Sequence, residues 1–376
     1  MVVFPNGFAH SISMEDNRLQ TCYTRPSMNI PFDPNAPAAL DSGVYGLPFT
    51  ESEANVVLVP VPWEVTTSYG GGTARGPAAI FEASRQVDLF DLDVEKPYEP
   101  GICMLPEDER VVAWNEEGRR LARTIIDAGG VVDTPEAEAA LARVNELSAK
   151  LNAWVSAETE RLSRAGKIVG IVGGDHSVPF GAIDALAQSK PGGIGVLHFD
   201  AHSDTRDAYE GFSFSHASIM HNVLQRVPGV KKLVQVGIRD VCEDEMTYVA
   251  SQGERVSVFL DRTISRRKMS GESFASITRD IVAALPGDVW VSFDIDGLDP
   301  RFCPHTGTPV PGGIDFAEAV YILNEVVRSG KTIVGFDLNE VAPGPDGDEW
   351  DGNVGARLLY KLVGFALASQ GKAKLR

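Results

Sequence analysis

The stretch GIGVLHFDAHSD (residues 193–204) shows how the chain is built: an apolar, β-branched run ends in aspartate and histidine side chains. Two other stretches have the same form, KIVGIVGGDHS (167–177) and DVWVSFDIDGLDP (288–300). Runs that are apolar on both faces are typical of parallel strands covered by helices on each side. In such a sheet the ligand site lies outside the carboxyl ends of the strands. The sequence therefore predicts one α/β domain with polar residues gathered at that edge.

The rest of the chain continues this alternation of strands and helices. EAEAALARVNELSAKLNAWVSAETERLSRAG (136–166) has apolar residues three and four apart, as an amphipathic helix requires. Residues 1–50 are rich in Pro, Asn and Ser, which predicts an irregular extension before a domain at 51–376. The predicted strands are NVVLVPVP (55–62), KIVGIV (167–172), GIGVLHF (193–199), KLVQVGI (232–238), RVSVFL (255–260), DVWVSFDI (288–295) and KTIVGFDL (331–338).

The composition narrows the class of protein. A formal charge of −18 disfavours a nucleic-acid or anionic-membrane surface, because no basic patch is present to replace phosphate counterions, and it is compatible with a cationic substrate. No apolar stretch is long enough to cross a bilayer and no basic and apolar leader is visible, so we expect a cytoplasmic protein. The four cysteines are scattered without CxxC pairs, which disfavours a disulfide framework or a thiolate metal site.

The polar residues after the three strands have the chemistry of metal ligands. Side chains alternate along an extended chain, so each turn can direct its ligands to one point. Buried carboxylates this close together repel one another unless cations neutralise them. Carboxylates and imidazoles suit Mn²⁺, Ni²⁺, Co²⁺ or Zn²⁺, and this many ligands fit two ions, bridged by Asp200 and Asp294, better than one. The predicted metal ligands are His176, Asp200, His202, Asp204, Asp294 and Asp296.

Each motif taken alone has another interpretation. GGDHS (173–177) is compatible with a turn in which Asp175 or Ser177 caps the next helix. DAHSD (200–204) is compatible with a polar turn, and DIDGLDP (294–300) with a fragment of a Ca²⁺ loop, although it lacks the EF-hand spacing and terminal Glu. All three motifs follow buried strands, which favours a shared metal site.

These motifs, in this order, resemble those of the ureohydrolase family of arginases and agmatinases over roughly residues 50–370. The resemblance implies a three-layer α/β/α sandwich with a mostly parallel, eight-stranded sheet, assembled as a homo-oligomeric trimer or hexamer. It also implies two divalent metal ions per chain. One ion would take His176, Asp200, Asp204 and Asp294, and the other would take Asp200, His202, Asp294 and Asp296.

The resemblance further implies catalytic roles. Two cations activate a water that attacks the guanidinium carbon, and Asp204 moves a proton to the leaving amine. EGFSFSHASIM (210–220) matches the agmatinase motif that carries a proton-shuttling histidine, which nominates His216. GFDLNEVAP (335–343) matches a strand whose glutamate holds the guanidinium, which nominates Glu340.

Departures from the family pattern concern the substrate. DTRDAYEGFSFSHA (204–217) replaces the arginase loop that grips an α-amino acid, and Cys242 stands where arginases carry an acidic residue, so arginine is disfavoured. The segments VPWEVTTSYGGGTARGPAAI (61–80) and CPHTGTPVPGG (303–313) look like those of bacterial guanidine hydrolases, in which nickel can be the working metal. In that subgroup a threonine helps to close the site; here Thr66, Thr67 or Ser68 could do so, or could equally be strand-end turn residues.

The sequence therefore leads to a hypothesis: an amidinohydrolase with two Ni²⁺ or Mn²⁺ ions that releases urea from a small cationic guanidino compound, with free guanidine leading. Agmatine and guanidinobutyrate are the alternatives; Glu210 and Arg206 are the nearby acid and cation that would recognise their tails. A single-zinc deacetylase-like hydrolase and a catalytically silent partner subunit are rival interpretations. Both rivals are expected to lose ligands, whereas all the ligands are retained here.

Overall fold

The computed structural model describes residues 32–39 and 41–376. The strands are β1 Val56–Val61, β2 Val94–Glu95, β3 Ile102–Met104, β4 Ile168–Gly173, β5 Ile194–Phe199, β6 Val230–Val236, β7 Val256–Phe259, β8 Asp288–Asp294, β9 Thr332–Asn339 and β10 Lys374–Leu375. The α-helices are α1 Gly76–Ser84, α2 Glu109–Ile126, α3 Pro135–Arg164, α4 Phe180–Ser189, α5 Ile219–Arg226, α6 Glu243–Ser251, α7 Asp261–Met269, α8 Phe274–Ala283, α9 Phe316–Arg328 and α10 Trp350–Ser369. None of these helices combines the length and the apolar character that a membrane crossing requires.

Eight strands form one parallel sheet in the order β3-β1-β4-β9-β8-β5-β6-β7. The seven predicted strands are all present in it. The eighth, β3, was not predicted, because ICM is too short to show a period. A separate antiparallel pair, β2 with β10, joins the C-terminal end to the domain.

Helices cover both faces of the sheet. In β5, Leu197 and Phe199 pack into one apolar cluster with α8, α9 and α10, whereas Ile194 and Val196 pack into a second cluster with α2, α3, α4 and α5. All four side chains are fully buried, and each such burial stabilises the fold by roughly 1.5–3 kcal/mol. The predicted α/β/α sandwich is confirmed.

Part of the predicted extension lies on the domain. Val44, Tyr45 and Leu47 are buried, and the Tyr45 hydroxyl donates to the Ala356 carbonyl oxygen at 2.9 Å. Residues 1–31 and 40 lie outside the described residues, so the boundary near residue 50 stays a prediction.

The strand order places the site. Strands β4, β9, β8 and β5 are consecutive neighbours at the centre of the sheet. Because they are parallel, their carboxyl ends meet at one edge, and the residues that follow them face a common space.

Candidate metal centre and substrate cavity

The predicted metal ligands converge at the carboxyl edge of the sheet. Nδ1 of His176 lies 3.1 Å from Oδ2 of Asp200, 3.4 Å from Oδ2 of Asp204 and 3.3 Å from Oδ2 of Asp294. These atoms come from the turns after β4 and β5 and from the last residue of β8. We refer to His176, Asp204, Asp294 and Oδ2 of Asp200 as the inner group.

The remaining ligands form a second group beside the first. Nδ1 of His202 lies 3.0 Å from Oδ2 of Asp296 and 3.5 Å from Oδ1 of Asp200. We refer to His202, Asp296 and Oδ1 of Asp200 as the outer group. Asp200 thus presents one carboxylate oxygen to each group, which is the geometry that a bridging ligand between two ions requires.

The carboxyl groups of Asp200, Asp204, Asp294 and Asp296 are buried close to one another. Burial, and then the negative charge of Asp200, raises the pKa of Asp204 to about 8. Burial and the charge of Asp296 raise the pKa of Asp294 well above its ordinary value. A divalent cation would remove this repulsion, and oxygen and imidazole donors without thiolate are those that Mn²⁺, Ni²⁺ and Zn²⁺ accept. The residues present therefore fit the two ions that the motifs imply.

Buried hydrogen bonds on the Nε2 side fix the orientation of the His176 ring. Its Nε2 lies 2.9 Å from Oγ of Ser292, and the Ser292 hydroxyl donates to Oδ1 of Asp337 at 3.0 Å. Asp337 also accepts the indole N–H of Trp290 at 2.5 Å. These hydrogen bonds fix the ring so that Nδ1 faces the carboxylates. A hydrogen bond to the ring nitrogen that does not bind the metal has the same effect on a metal-binding histidine.

His198 lies beside the inner group, with a ring nitrogen within 4.8 Å of ligand atoms of His176, Asp200 and Asp204, and it hydrogen-bonds Asp200. Its Nε2 lies 2.8 Å from Oδ2 of Asp200, and its Nδ1 accepts the side-chain amide of Gln235 at 3.1 Å. Both ring nitrogens are used, and burial lowers the pKa of His198, so the ring is neutral and donates to the carboxylate. Gln235 was not predicted; its signal is a polar residue within the apolar, buried second half of strand β6.

Two predicted catalytic residues have left-handed backbone conformations, Asp204 with φ 55° and Glu340 with φ 62°. Such conformations are costly for residues other than glycine and persist where neighbours hold them. Around Glu340, the backbone N–H donates to Gly174 O at 2.7 Å, and the carbonyl oxygen accepts the Thr306 hydroxyl at 2.8 Å. Its Oε1 accepts the backbone N–H of His176 at 2.9 Å.

A cavity of about 300 Å³ opens onto both groups. Besides ligands of the two groups, its wall includes Ser68, Arg206, His216, Cys242 and Glu340. Burial, and then the charge of His202, lowers the pKa of His216 to about 4. The imidazole is therefore neutral at neutral pH and can accept a proton.

In the segment WEVTTSYG (63–70), Ser68 lines this cavity, whereas the predicted Thr66 and Thr67 are not on its wall. Oγ1 of Thr66 accepts the backbone N–H of His216 at 3.2 Å and lies 3.3 Å from its Nδ1. Thr67 is buried, and its hydroxyl has no hydrogen-bond partner within the described chain.

Two other sequence interpretations can be compared with the structure. Oδ1 of Asp175 accepts the backbone N–H and the hydroxyl of Ser177, which closes the turn, and no side chain caps α4 after Pro179. Asp175 therefore shapes the turn while His176 faces the ligands. Glu210 packs beside Gly130 and is not on the cavity wall, whereas Arg206 is.

Known proteins are similar to this chain over most of its length. The chain is 33% identical to an N(1)-aminopropylagmatine ureohydrolase of Thermus thermophilus over 315 residues, 83% of this chain and 90% of that protein. It is 29% identical to the agmatinase of Cronobacter sakazakii, covering 86% and 90% of the two chains.

The structure of proclavaminate amidino hydrolase from Streptomyces clavuligerus has the same fold, with a TM-score of 0.64 and 23% identity over 89% of this chain and 99% of that one. The arginase family model matches residues 54–364, most of the sandwich and all the predicted ligands. The chain belongs to the arginase family of ureohydrolases.

Proposed function

We propose that this arginase-family hydrolase uses two divalent cations to release urea from a small guanidino compound, and that free guanidine is its substrate. One observation carries the proposal: the inner and outer groups open onto the same cavity as Glu340 and His216. A metal centre, a carboxylate and a neutral imidazole thus surround one space.

Glu340 is placed to hold a guanidinium ion. The backbone of His176 fixes Oε1, and Oε2 lies on the side of Gly307, where a Cβ atom would be 3.6 Å away. A carboxylate can accept two parallel N–H bonds from a planar guanidinium. Glu340 would therefore orient the substrate carbon toward the metal centre.

The hydrolysis adds water across a C–N bond. When bound, two divalent cations would lower the pKa of a water and supply the nucleophile. As the C–O bond forms and the C–N bond breaks, Asp204 accepts the proton of the attacking water. His216, neutral at neutral pH, takes this proton from Asp204 and passes it to the departing nitrogen, which leaves as ammonia from guanidine.

Features of the cavity wall support a substrate without a charged tail. The Arg206 guanidinium lies 5.1 Å over the Tyr209 ring, and its Nε is 3.6 Å from Oε2 of Glu245. The Glu245 carboxylate is occupied by Arg206 and by the backbone N–H groups of Thr205 and Cys242, so it is not free to bind the ammonium of agmatine. Cys242, also on the wall, offers no charge for an α-amino group.

Agmatine is the second candidate, because the exposed Asp240 also lines the cavity and could attract an ammonium. The names of the relatives from Thermus thermophilus and Cronobacter sakazakii support it too. Guanidinobutyrate is the third candidate, since its carboxylate would meet Arg206.

The remaining parts of the proposal concern the metal, the assembly and the compartment. Carboxylate and imidazole donors suit both Ni²⁺ and Mn²⁺. We propose a cytoplasmic homo-oligomer, a trimer or a hexamer, as family resemblance implies. A single-zinc hydrolase would not require the ligands of the outer group, so their presence favours a centre with two metal ions.

The test is urea release from a panel of guanidino compounds. Protein stripped of metal is reloaded separately with Ni²⁺ and Mn²⁺ and given guanidine, agmatine, 4-guanidinobutyrate, N(1)-aminopropylagmatine and arginine. We expect the highest kcat/KM for guanidine and no urea from arginine. A higher kcat/KM for agmatine than for guanidine would identify agmatine as the substrate. No urea from any compound with either metal would contradict the proposed activity.

A further inference from the structure

We propose that Arg119 and Glu64 form a clamp that positions Thr66 against His216, which makes Arg119 a positioning residue for proton transfer. The proposal rests on the function proposed above. It concerns the segment 62–72, which contains no helix or strand and connects β1 to the turn before α1. Something other than regular secondary structure must hold this segment beside the cavity.

Arg119, on α2, binds the segment on both sides of Thr66. Its Nη1 donates to the carbonyl oxygen of Val65 at 3.4 Å and to that of Thr67. The Arg119 side chain is only 18% exposed, so these bonds are shielded from water. A guanidinium that holds the carbonyls before and after one residue limits how far that residue can move.

Glu64 ties the same segment to the glycine loop that follows. Its Oε2 accepts the backbone N–H groups of Gly72 at 2.6 Å and Ala74 at 3.1 Å, and its Oε1 lies 4.0 Å from Nε of Arg119. The Glu64 backbone N–H donates to Oδ1 of Asn115 on α2 at 2.8 Å. Helix α2 therefore fixes the segment through two side chains that lie one turn apart.

Thr66 transmits this restraint to His216. The Thr66 hydroxyl oxygen accepts the His216 backbone N–H and lies within hydrogen-bond distance of the ring Nδ1. If Arg119 loses its donors, two carbonyl groups lose a partner and Thr66 is free to shift. A misplacement of about 1 Å in catalytic machinery can cost about 100-fold in rate. The loss should fall mainly on kcat, because we propose Glu340 as the residue that holds the guanidinium and His216 as the residue that moves the proton.

The experiment is a double-mutant cycle in metal-loaded protein with guanidine, or with whichever panel compound releases urea. Arg119→Met and Thr66→Val are measured alone and together. We expect Arg119→Met to lower kcat by about 10- to 100-fold with little change in KM, and to add less than about threefold in the Thr66→Val background. Arg119→Lys, which keeps a charge and a donor, should recover part of the rate. Arg123→Met is the matched control, since Arg123 lies on the same helix but is 59% exposed.

A second measurement does not depend on activity. The ¹⁵N resonances of the His216 imidazole report its tautomer and hydrogen bonding, and they should move in Arg119→Met and stay in Arg123→Met. Independent, multiplicative effects on kcat together with an unmoved His216 signal would overturn the clamp. If wild-type protein releases no urea from any compound, the proposed function is contradicted. The His216 resonances still test the clamp in that case, because they do not depend on activity.

Discussion

The inner and outer groups have the same donor chemistry but different surroundings. The His176 side chain is 1% exposed and is braced through Ser292 to Asp337. The His202 side chain is 26% exposed, and the polar contacts of its ring within the described chain are with Asp200 and Asp296. A buried, braced imidazole is held ready for a metal, whereas a more exposed one must be ordered by it. We therefore expect the inner ion to bind more tightly and the outer ion to exchange more readily.

The largest expected effect comes from removing what the two groups share. Asp200→Asn takes one negative charge from both, so both ions should bind more weakly. The loss of metal affinity should exceed the roughly 10- to 100-fold loss that follows from altering a residue that hydrogen-bonds a metal ligand. Metal content after dialysis and urea release are the measurements. Asp299→Asn, in the DIDGLDP motif but outside both groups, is the control, and two retained ions in Asp200→Asn would refute the shared ligand.

A smaller and asymmetric effect is expected from the two histidines. His202→Asn should leave about one tightly held ion per chain, because the inner group is intact. Urea release should be low, because the outer ion is lost. His176→Asn should weaken the inner ion and also lower thermal stability, since Ser292 and Asp337 lose a buried partner. Metal analysis and thermal unfolding distinguish the two, with His221→Asn as control. Equal metal loss in both variants would remove the distinction between the groups.

The smallest expected effect is a pH dependence of the metal-free protein. The folded-state pKa of Asp204, raised to about 8, lies above the ordinary aspartate value of about 3.9, so the native state binds a proton that the unfolded chain has released. Its contribution is present at low pH and is lost as pH rises through 8. The pKa of His202, which burial lowers but the Asp296 carboxylate raises to about 12, acts in the same direction.

The unfolding midpoint of metal-free protein should therefore decrease as pH rises from 5 to 8, where the folded state keeps the Asp204 proton and the unfolded chain does not. Metal should reduce this decrease, and so should Asp204→Asn, because asparagine has no proton to release on unfolding. Thermal unfolding at the two pH values, with and without Mn²⁺, is the measurement. A midpoint that is flat, or that rises with pH, in the metal-free protein would show that Asp204 is ionised without a cation.

The sequence predicted those parts of the molecule that rest on local pattern. Strands β4, β5 and β8 are apolar on both faces and run into polar turns, so both the sheet and the convergence of His176, Asp200 and Asp294 follow from strand geometry. Strand β3 was not predicted, because three residues are too few to show the alternation of apolar and polar side chains that identifies a strand.

Support for the site was harder to predict, since it comes from distant parts of the chain. Arg119 lies in the middle of an amphipathic helix, where an arginine is ordinarily a solvated residue, and only the packing of α2 brings it to Val65 and Thr67. Ser292 and Gln235 had a weak signal, a polar residue between buried apolar residues of a strand. Such a residue must find a buried partner, but the sequence alone does not say which one.

The most direct test of a two-ion hydrolase is to titrate metal-free protein with Mn²⁺, and separately with Ni²⁺, following heat of binding and urea release from guanidine in the same sample. We predict two ions per chain with unequal affinity, and urea release that rises with the second equivalent. Full urea release at one ion per chain, with no further binding, would contradict the account.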